Sequence, residues 1–136
     1  MDRLIWAARQ VRQYAYAPYS GFRVGAALET DDGTIITGVN VENASYPLGC
    51  CAERAALYTA VGQGYRRFVR IAVVGPGSRP VPPCGGCRQA LAEFGDLTVI
   101  MATPDETGPI ETRGLHELLP HQFGAELGAK EEPHGL

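Results

Sequence analysis

The sequence predicts one α/β domain, a three-layer α-β-α sandwich around a mixed five-stranded sheet. Three observations carry that prediction. Alternating runs at 22–29 and 34–42 flank Asp31-Asp32-Gly33, a strong hairpin-turn signal. Apolar runs at 68–74 and 97–102 have a helical pattern between them, and strand–helix–strand order implies a parallel pair with a right-handed crossover. The link from Thr103 to Pro109 is too short for another crossover, so a fifth strand near 110–112 should run antiparallel.

The elements follow in order. Residues 2–16 read as a helix capped by Asp2, with Leu4, Ile5, Ala8, Val11 and Ala15 at helical spacing. Pro18 and Gly21 end it in a turn. In the first strand, Phe22, Val24, Ala26 and Leu28 share one face. Residues 43–50 form a loop, and a helix over 51–61 stops near Gly62 and Gly64. A Gly/Pro loop covers 75–83, and a third helix over 84–94 ends at Gly95. A short helix carries Leu115, Leu118 and Leu119, and the charged tail from Gly124 is expected to fray.

A chain of 136 residues suits a single domain, 1–136, and can bury a core large enough to need no staple. The formal net charge of −3 argues against a nucleic-acid partner, because a phosphate backbone calls for a basic face. The cluster Arg66, Arg67 and Arg70 reads as a solvated face. No apolar run approaches the ~20 residues of a membrane span. The expected setting is the cytoplasm, where four cysteines point to metal binding or catalysis more than to disulfides.

Cys84-Gly85-Gly86-Cys87 is the sharpest feature. Two thiolates at this spacing can bind one zinc ion, and the glycines let the backbone come close to the metal. Cys51 offers a third thiolate at the start of a helix, where the dipole favours anions and lowers thiol pKa. Three protein ligands leave a catalytic zinc site open, whereas four close a structural one. A closed site using Cys50 and a metal-free redox C-x-x-C remain as alternatives. Glu53 follows Cys51 by two residues. Alone it would complement the helix dipole; beside an open zinc it can move protons. His116, His121 and His134 show no ligand spacing and read as surface or packing residues.

Cys51-Ala52-Glu53 followed by Pro83-Cys84-Gly85-Gly86-Cys87 resembles the zinc nucleoside deaminases. With cysteine at the first ligand position, the chain is similar to the small homotetrameric cytidine deaminases. Further blocks carry the resemblance over about 4–123: Ala17-Pro18-Tyr19-Ser20, Phe22-Arg23-Val24-Gly25-Ala26-Ala27, the run from Gly38 to Tyr46, and Leu118-Leu119-Pro120. It implies a cytidine deaminase-like fold and hydrolytic deamination of free cytidine and 2′-deoxycytidine in pyrimidine salvage. It implies zinc, one per subunit, on Cys51, Cys84 and Cys87, activating water with Glu53 as proton shuttle. Asn40 and Glu42 would hold the ribose hydroxyls, Phe22 would line the pyrimidine pocket, and the Ala52 N–H would meet the base carbonyl. Arg54 would donate to the cysteine sulfurs, and Tyr46 and Phe123 are weaker site candidates. Four subunits would associate, with sites at their interfaces. A deaminase for another free cytosine nucleoside and a non-enzymatic zinc-stabilised module are the rival readings.

Overall fold

The computed structural model describes residues 2–124. The tail beyond Gly124, expected to fray, lies outside the described residues together with His134.

Helix α1 (Arg3–Val11) begins at Asp2, whose Oδ1 accepts the Leu4 N–H at 2.9 Å, a side-chain cap. It is shorter than 2–16. A 3-10 turn over Arg12–Tyr14 follows, and Tyr16 then leaves to bridge Val41. Strands β1 (Gly25–Thr30) and β2 (Ile35–Val39) pair antiparallel around the expected hairpin turn. Helix α2 (Ala52–Gly62) leads to β3 (Phe68–Val74), and α3 (Gly85–Ala92) leads to β4 (Thr98–Ala102). The chain closes with β5 (Glu111–Gly114) and the short α4 (Leu115–Leu118).

All five strands form one sheet in the order β2-β1-β3-β4-β5. The β3–β4 pair is parallel, and β5 joins β4 antiparallel, as the short link requires. One face packs on α1 through Leu4, Ile5, Ala8, Ala27, Ala72 and Ile100. The other face carries the larger core, with Ala56 and Leu57 of α2 and Leu91 of α3 against Leu28, Ile71 and Val99. Helices therefore cover both faces, which is the expected three-layer sandwich.

Two strand boundaries differ from expectation. The first strand starts at Gly25, leaving Phe22 outside the sheet and 45% exposed, while Val24, Ala26 and Leu28 do share the core face. The second ends at Val39, so Asn40 and Glu42 do not sit on a strand face. Val41 between them is held by isolated bridges to Tyr16 and Cys50. Those non-local partners draw the chain off the β1 ladder. The close seating of α2 on β2 sets where this happens. A Cβ at Gly38 would lie 2.4 Å from the Ala56 nitrogen, so only glycine allows the approach. The N-terminus of α2 thus lies against the end of β2.

Of the arginine cluster, Arg66 bonds the Val61 carbonyl near the end of α2, and Arg70 pairs with Asp2 and Glu29. These are structural contacts, in line with the solvated-face reading.

Candidate active site

Cys51 and Cys84 occupy the same position in their helices. Each is the residue just before the first helical turn, with extended backbone and its side chain free of any capping bond. Cys87 lies within the first turn of α3 and is fully buried. Two helix N-termini therefore converge on three sulfurs, which favours negative charge there.

The three Sγ atoms all lie within 4.8 Å of one another. Cys51 and Cys84 are 3.7 Å apart, too far for a disulfide, and all four cysteines are free. Tetrahedral zinc with Zn–S bonds of ~2.3 Å places its sulfurs ~3.8 Å apart, so this spacing fits the ion. Cys50 stands outside the group, its thiol directed at the Cys51 carbonyl oxygen 3.5 Å away. Among the described residues the donor set is three cysteines, the number that leaves a catalytic zinc one free position.

The sulfurs share charge unevenly. Hydrogen bonding from Cys87, with help from Arg54 and Cys84, brings the Cys51 thiol down to about 5. The Cys87 thiol is pushed up, first by its bond to the Cys51 thiolate and then by burial. One proton leaves this cluster readily and the next is held, as expected for coupled sites. Arg54, one turn into α2, donates from Nη2 to the Cys51 sulfur at 3.4 Å. Its Nε is buried without a partner among the described residues. A Cβ at Gly85 would touch nothing within 4 Å, and one at Gly86 would meet only the Cys84 sulfur at 3.9 Å.

Glu53 sits in the first turn of α2 and is 4% exposed. Burial pushes its carboxyl up to about 7. No hydrogen bond to another described residue holds its carboxylate in one protonation state. Ala52, also fully buried, is the first residue of α2, and its N–H is among those the helix cannot use internally.

A second set of residues gathers at the end of β2. Asn40 accepts the Val24 N–H at 2.9 Å and donates to the Phe22 carbonyl at 2.7 Å. Glu42 accepts the Tyr19 and Ser20 N–H groups and the Ser20 hydroxyl. These bonds, the Ser20 hydroxyl foremost, hold the Glu42 carboxyl below its ordinary value. Glu42 lines a cavity of about 380 Å³ with Tyr19, Ser20, Asn43, Tyr46 and Gly49. Tyr19 and Tyr46 meet edge to face at its wall, centroids 6.2 Å apart. The cysteines do not line this cavity.

The chain matches the family model of the cytidine and deoxycytidylate deaminase zinc-binding region over residues 1–103. It belongs to that family. A cytidine deaminase of Halalkalibacterium halodurans is 51% identical over 128 residues, covering 93% of this chain and 97% of that protein. The crystal structure of cytidine deaminase from Burkholderia pseudomallei matches with TM-score 0.84 and 48% identity, over 90% of this chain and 100% of that one. That from Mycobacterium tuberculosis matches with TM-score 0.75 and 40% identity, over 89% and 94%. The mixed five-stranded sandwich is thus the fold of this deaminase family, a family of hydrolases. The Cys51–Cys84–Cys87 group is where the chain could hold its zinc.

The site residues fall in two clusters with a remainder. The cysteines, Ala52, Glu53 and Arg54 share the α2 and α3 N-termini, while Asn40 and Glu42 brace the 19–24 loop. Phe22, Tyr46 and Phe123 are 45%, 76% and 71% exposed, so the single chain leaves them uncovered. Three residues escaped the sequence reading. Ser20 shares the Glu42 network, and its signal was the Ser-Gly pair of a tight turn. Arg88 ties the Pro83 carbonyl to that of Leu118, and Gln89 holds the Phe123 carbonyl. Nothing in spacing marks either. No helix of the described residues is long and apolar enough to cross a membrane.

Proposed function

We propose that this chain, taken as one deaminase domain over 1–136, hydrolyses free cytidine and 2′-deoxycytidine to uridine, 2′-deoxyuridine and ammonia. The observation that carries the reading is the buried Glu53 on the same helix end as Cys51, one of the three sulfurs that could hold a metal ion. A zinc ion held by Cys51, Cys84 and Cys87 would supply Lewis acidity, bringing the pKa of water near neutrality. Glu53, poised near 7 by burial, takes the proton of the attacking water. It passes that proton to N3 of the cytosine ring as the water oxygen bonds to C4, then carries the remaining proton of that oxygen to the amino nitrogen, so the C4–N bond breaks, the C4 carbonyl forms, and one ammonia departs for one water consumed. The unused Ala52 N–H donates to the base carbonyl. Arg54 offsets the negative charge of the sulfurs by donating to Cys51.

Asn40 and Glu42 take the ribose hydroxyls. Asn40 retains one donor and one acceptor beyond its bonds to the 22–24 backbone. Phe22 lines the base pocket, and Tyr46 and Phe123 serve at the rim. Their exposure supports assembly as a homotetramer in which neighbouring chains cover them. Light scattering should then return four times the 14.6 kDa chain mass, and a monomer would remove this part of the reading. Cytoplasmic pyrimidine salvage is the setting that this substrate class suggests.

An ultraviolet assay of purified protein with cytidine tests the reaction. Conversion to uridine with zinc bound supports it. A folded, zinc-loaded protein that leaves cytidine and deoxycytidine intact would refute it.

A further inference from the structure

Ser20 has no assigned role, yet it sits at the centre of the sugar-side network. The Glu42 Oε1 receives two backbone N–H groups, from Tyr19 at 2.9 Å and Ser20 at 3.1 Å. The Ser20 hydroxyl donates to the other oxygen, Oε2. The same Oγ accepts the Phe22 N–H at 2.9 Å. A hydroxyl has one proton, and here the Phe22 N–H occupies one of its lone pairs, turning that proton toward Glu42. Gly21 makes the return possible. Its φ of 70° lies in the left-handed region, which brings the Phe22 N–H back onto Ser20.

Acceptor counting gives the consequence. A carboxylate offers about two sites per oxygen. Oε1 is filled by two N–H donors, while Oε2 has one donor and one site left. Both Glu42 and Ser20 line the 380 Å³ cavity. Ser20 therefore decides which oxygen stays available there, and in what orientation.

We propose that Ser20 is a positioning residue for sugar recognition: its hydroxyl fixes the Glu42 carboxylate so that the remaining Oε2 acceptor site meets a ribose hydroxyl. This rests on the reading above that Glu42 holds the sugar. Without the Ser20 hydroxyl, Oε1 stays anchored by two N–H groups, but Oε2 loses its partner. The loss falls on sugar binding and spares the chemistry at the base.

The test is steady-state kinetics on wild type, Ser20→Ala, Ser20→Thr, Glu42→Gln and the Ser20→Ala/Glu42→Gln double variant. Substrates are cytidine and 2′,3′-dideoxycytidine, which lacks both ring hydroxyls. Ser20→Ala should raise KM for cytidine about five- to tenfold, with a smaller change in kcat, the scale of one lost hydrogen bond. On the dideoxynucleoside the same substitution should change KM less than about twofold. Ser20→Thr should restore most of the loss, and in the Glu42→Gln background Ser20→Ala should add little. An equal KM rise on both nucleosides, or an undiminished effect in the Glu42→Gln background, would mark a general loop defect and overturn the proposal. If the alanine variant does not fold, Ser20→Cys, of similar shape and weaker as a donor, is read by the same criteria. Wild-type protein that fails on cytidine removes the substrate reading and this proposal with it. Wild-type turnover with equal ratios overturns the proposal alone.

Discussion

Glu53→Gln is the most informative perturbation. The substitution keeps side-chain length and shape but removes the ability to accept and return a proton. The magnitude follows from the site. Glu53 is 4% exposed, so water cannot readily substitute for it as a proton carrier. Burial pushes its carboxyl up to about 7, where a group both takes and gives protons effectively. Loss of one such acid–base group costs about 10²–10⁴ in rate. Glu53 is asked to serve more than one transfer, so the fall in kcat should lie toward the upper end. The variant no longer buries a carboxylate, so its thermal midpoint should equal or exceed that of wild type. Zinc content should be unchanged, because Cys51, Cys84 and Cys87 are untouched. The assay is the absorbance change on cytidine, with metal analysis and a thermal melt on the same preparation. A zinc-loaded variant with kcat within about threefold of wild type would refute the proton-shuttle argument.

Three further outcomes are expected. Cys84→Ala should abolish zinc binding by metal analysis, and chelation of the wild type should remove activity that added zinc restores; full zinc occupancy in the variant would exclude Cys84 as a ligand. Arg88→Ala removes the link between the Pro83 and Leu118 carbonyls at 2.8 and 2.6 Å. It should cost about 2–3 kcal/mol in stability and raise the zinc Kd about tenfold, read by chelator competition. Asp2→Ala removes a helix cap and a partly exposed ion pair to Arg70, together about 1–2 kcal/mol. Burial works to raise the Asp2 pKa, but the Leu4 N–H and Arg70 outweigh it and hold it below the usual carboxylate value. A depressed folded pKa stabilises above the unfolded value near 3.8, and the benefit is lost as pH falls through the folded one. The melting gap between wild type and variant should therefore stay constant from neutrality to about pH 4 and close below it; a gap widening in acid would reverse the assignment.

Much of the fold was legible because its determinants are local. The Asp31-Asp32-Gly33 turn organises itself: Asp32 accepts from the Thr34 N–H and the Thr30 hydroxyl, so the hairpin needed no distant partner. Asp2 caps α1 through a residue two positions away. The antiparallel β5 followed from link length alone. The metal group was legible as residue types. Its closure depends on α2 and α3 bringing Cys51 next to Cys84, which no spacing within one segment encodes. What could not be read was non-local pairing. Alternation placed Asn40 and Glu42 on a strand, but after one last bond from the Asn40 N–H to the Val24 carbonyl at 3.3 Å, residues 41–42 pair with Tyr16 and Cys50 instead of continuing along β1. The same alternation puts Phe22 on one strand face with Val24, Ala26 and Leu28, but it lies 45% exposed in the loop that Asn40 and Glu42 brace.

That non-local lacing also ties the two residue clusters together. Val41 exchanges both backbone bonds with Cys50, at 3.0 Å each, and Cys51 follows directly as the residue before α2. Glu42 takes the Tyr16 carbonyl through its N–H at 2.8 Å and the Tyr19 and Ser20 amides through its side chain. Glu42 and the Cys51 sulfur are therefore tied through one bridge of backbone hydrogen bonds, Val41 to Cys50. Gly38 holds α2 tightly to β2 behind this bridge, and the α2 N-terminus carries Cys51, Ala52, Glu53 and Arg54 together. A shift of α2 along β2 would move Cys51, Ala52, Glu53 and Arg54 as a unit relative to Asn40 and Glu42. The close seating of this helix end on β2 is thus what sets the spacing between Asn40 and Glu42 on one side and Cys51 and Glu53 on the other. The stretch from Asn40 to Arg54 thus supplies one sulfur of the three-cysteine group, and Cys84 and Cys87 join it from α3.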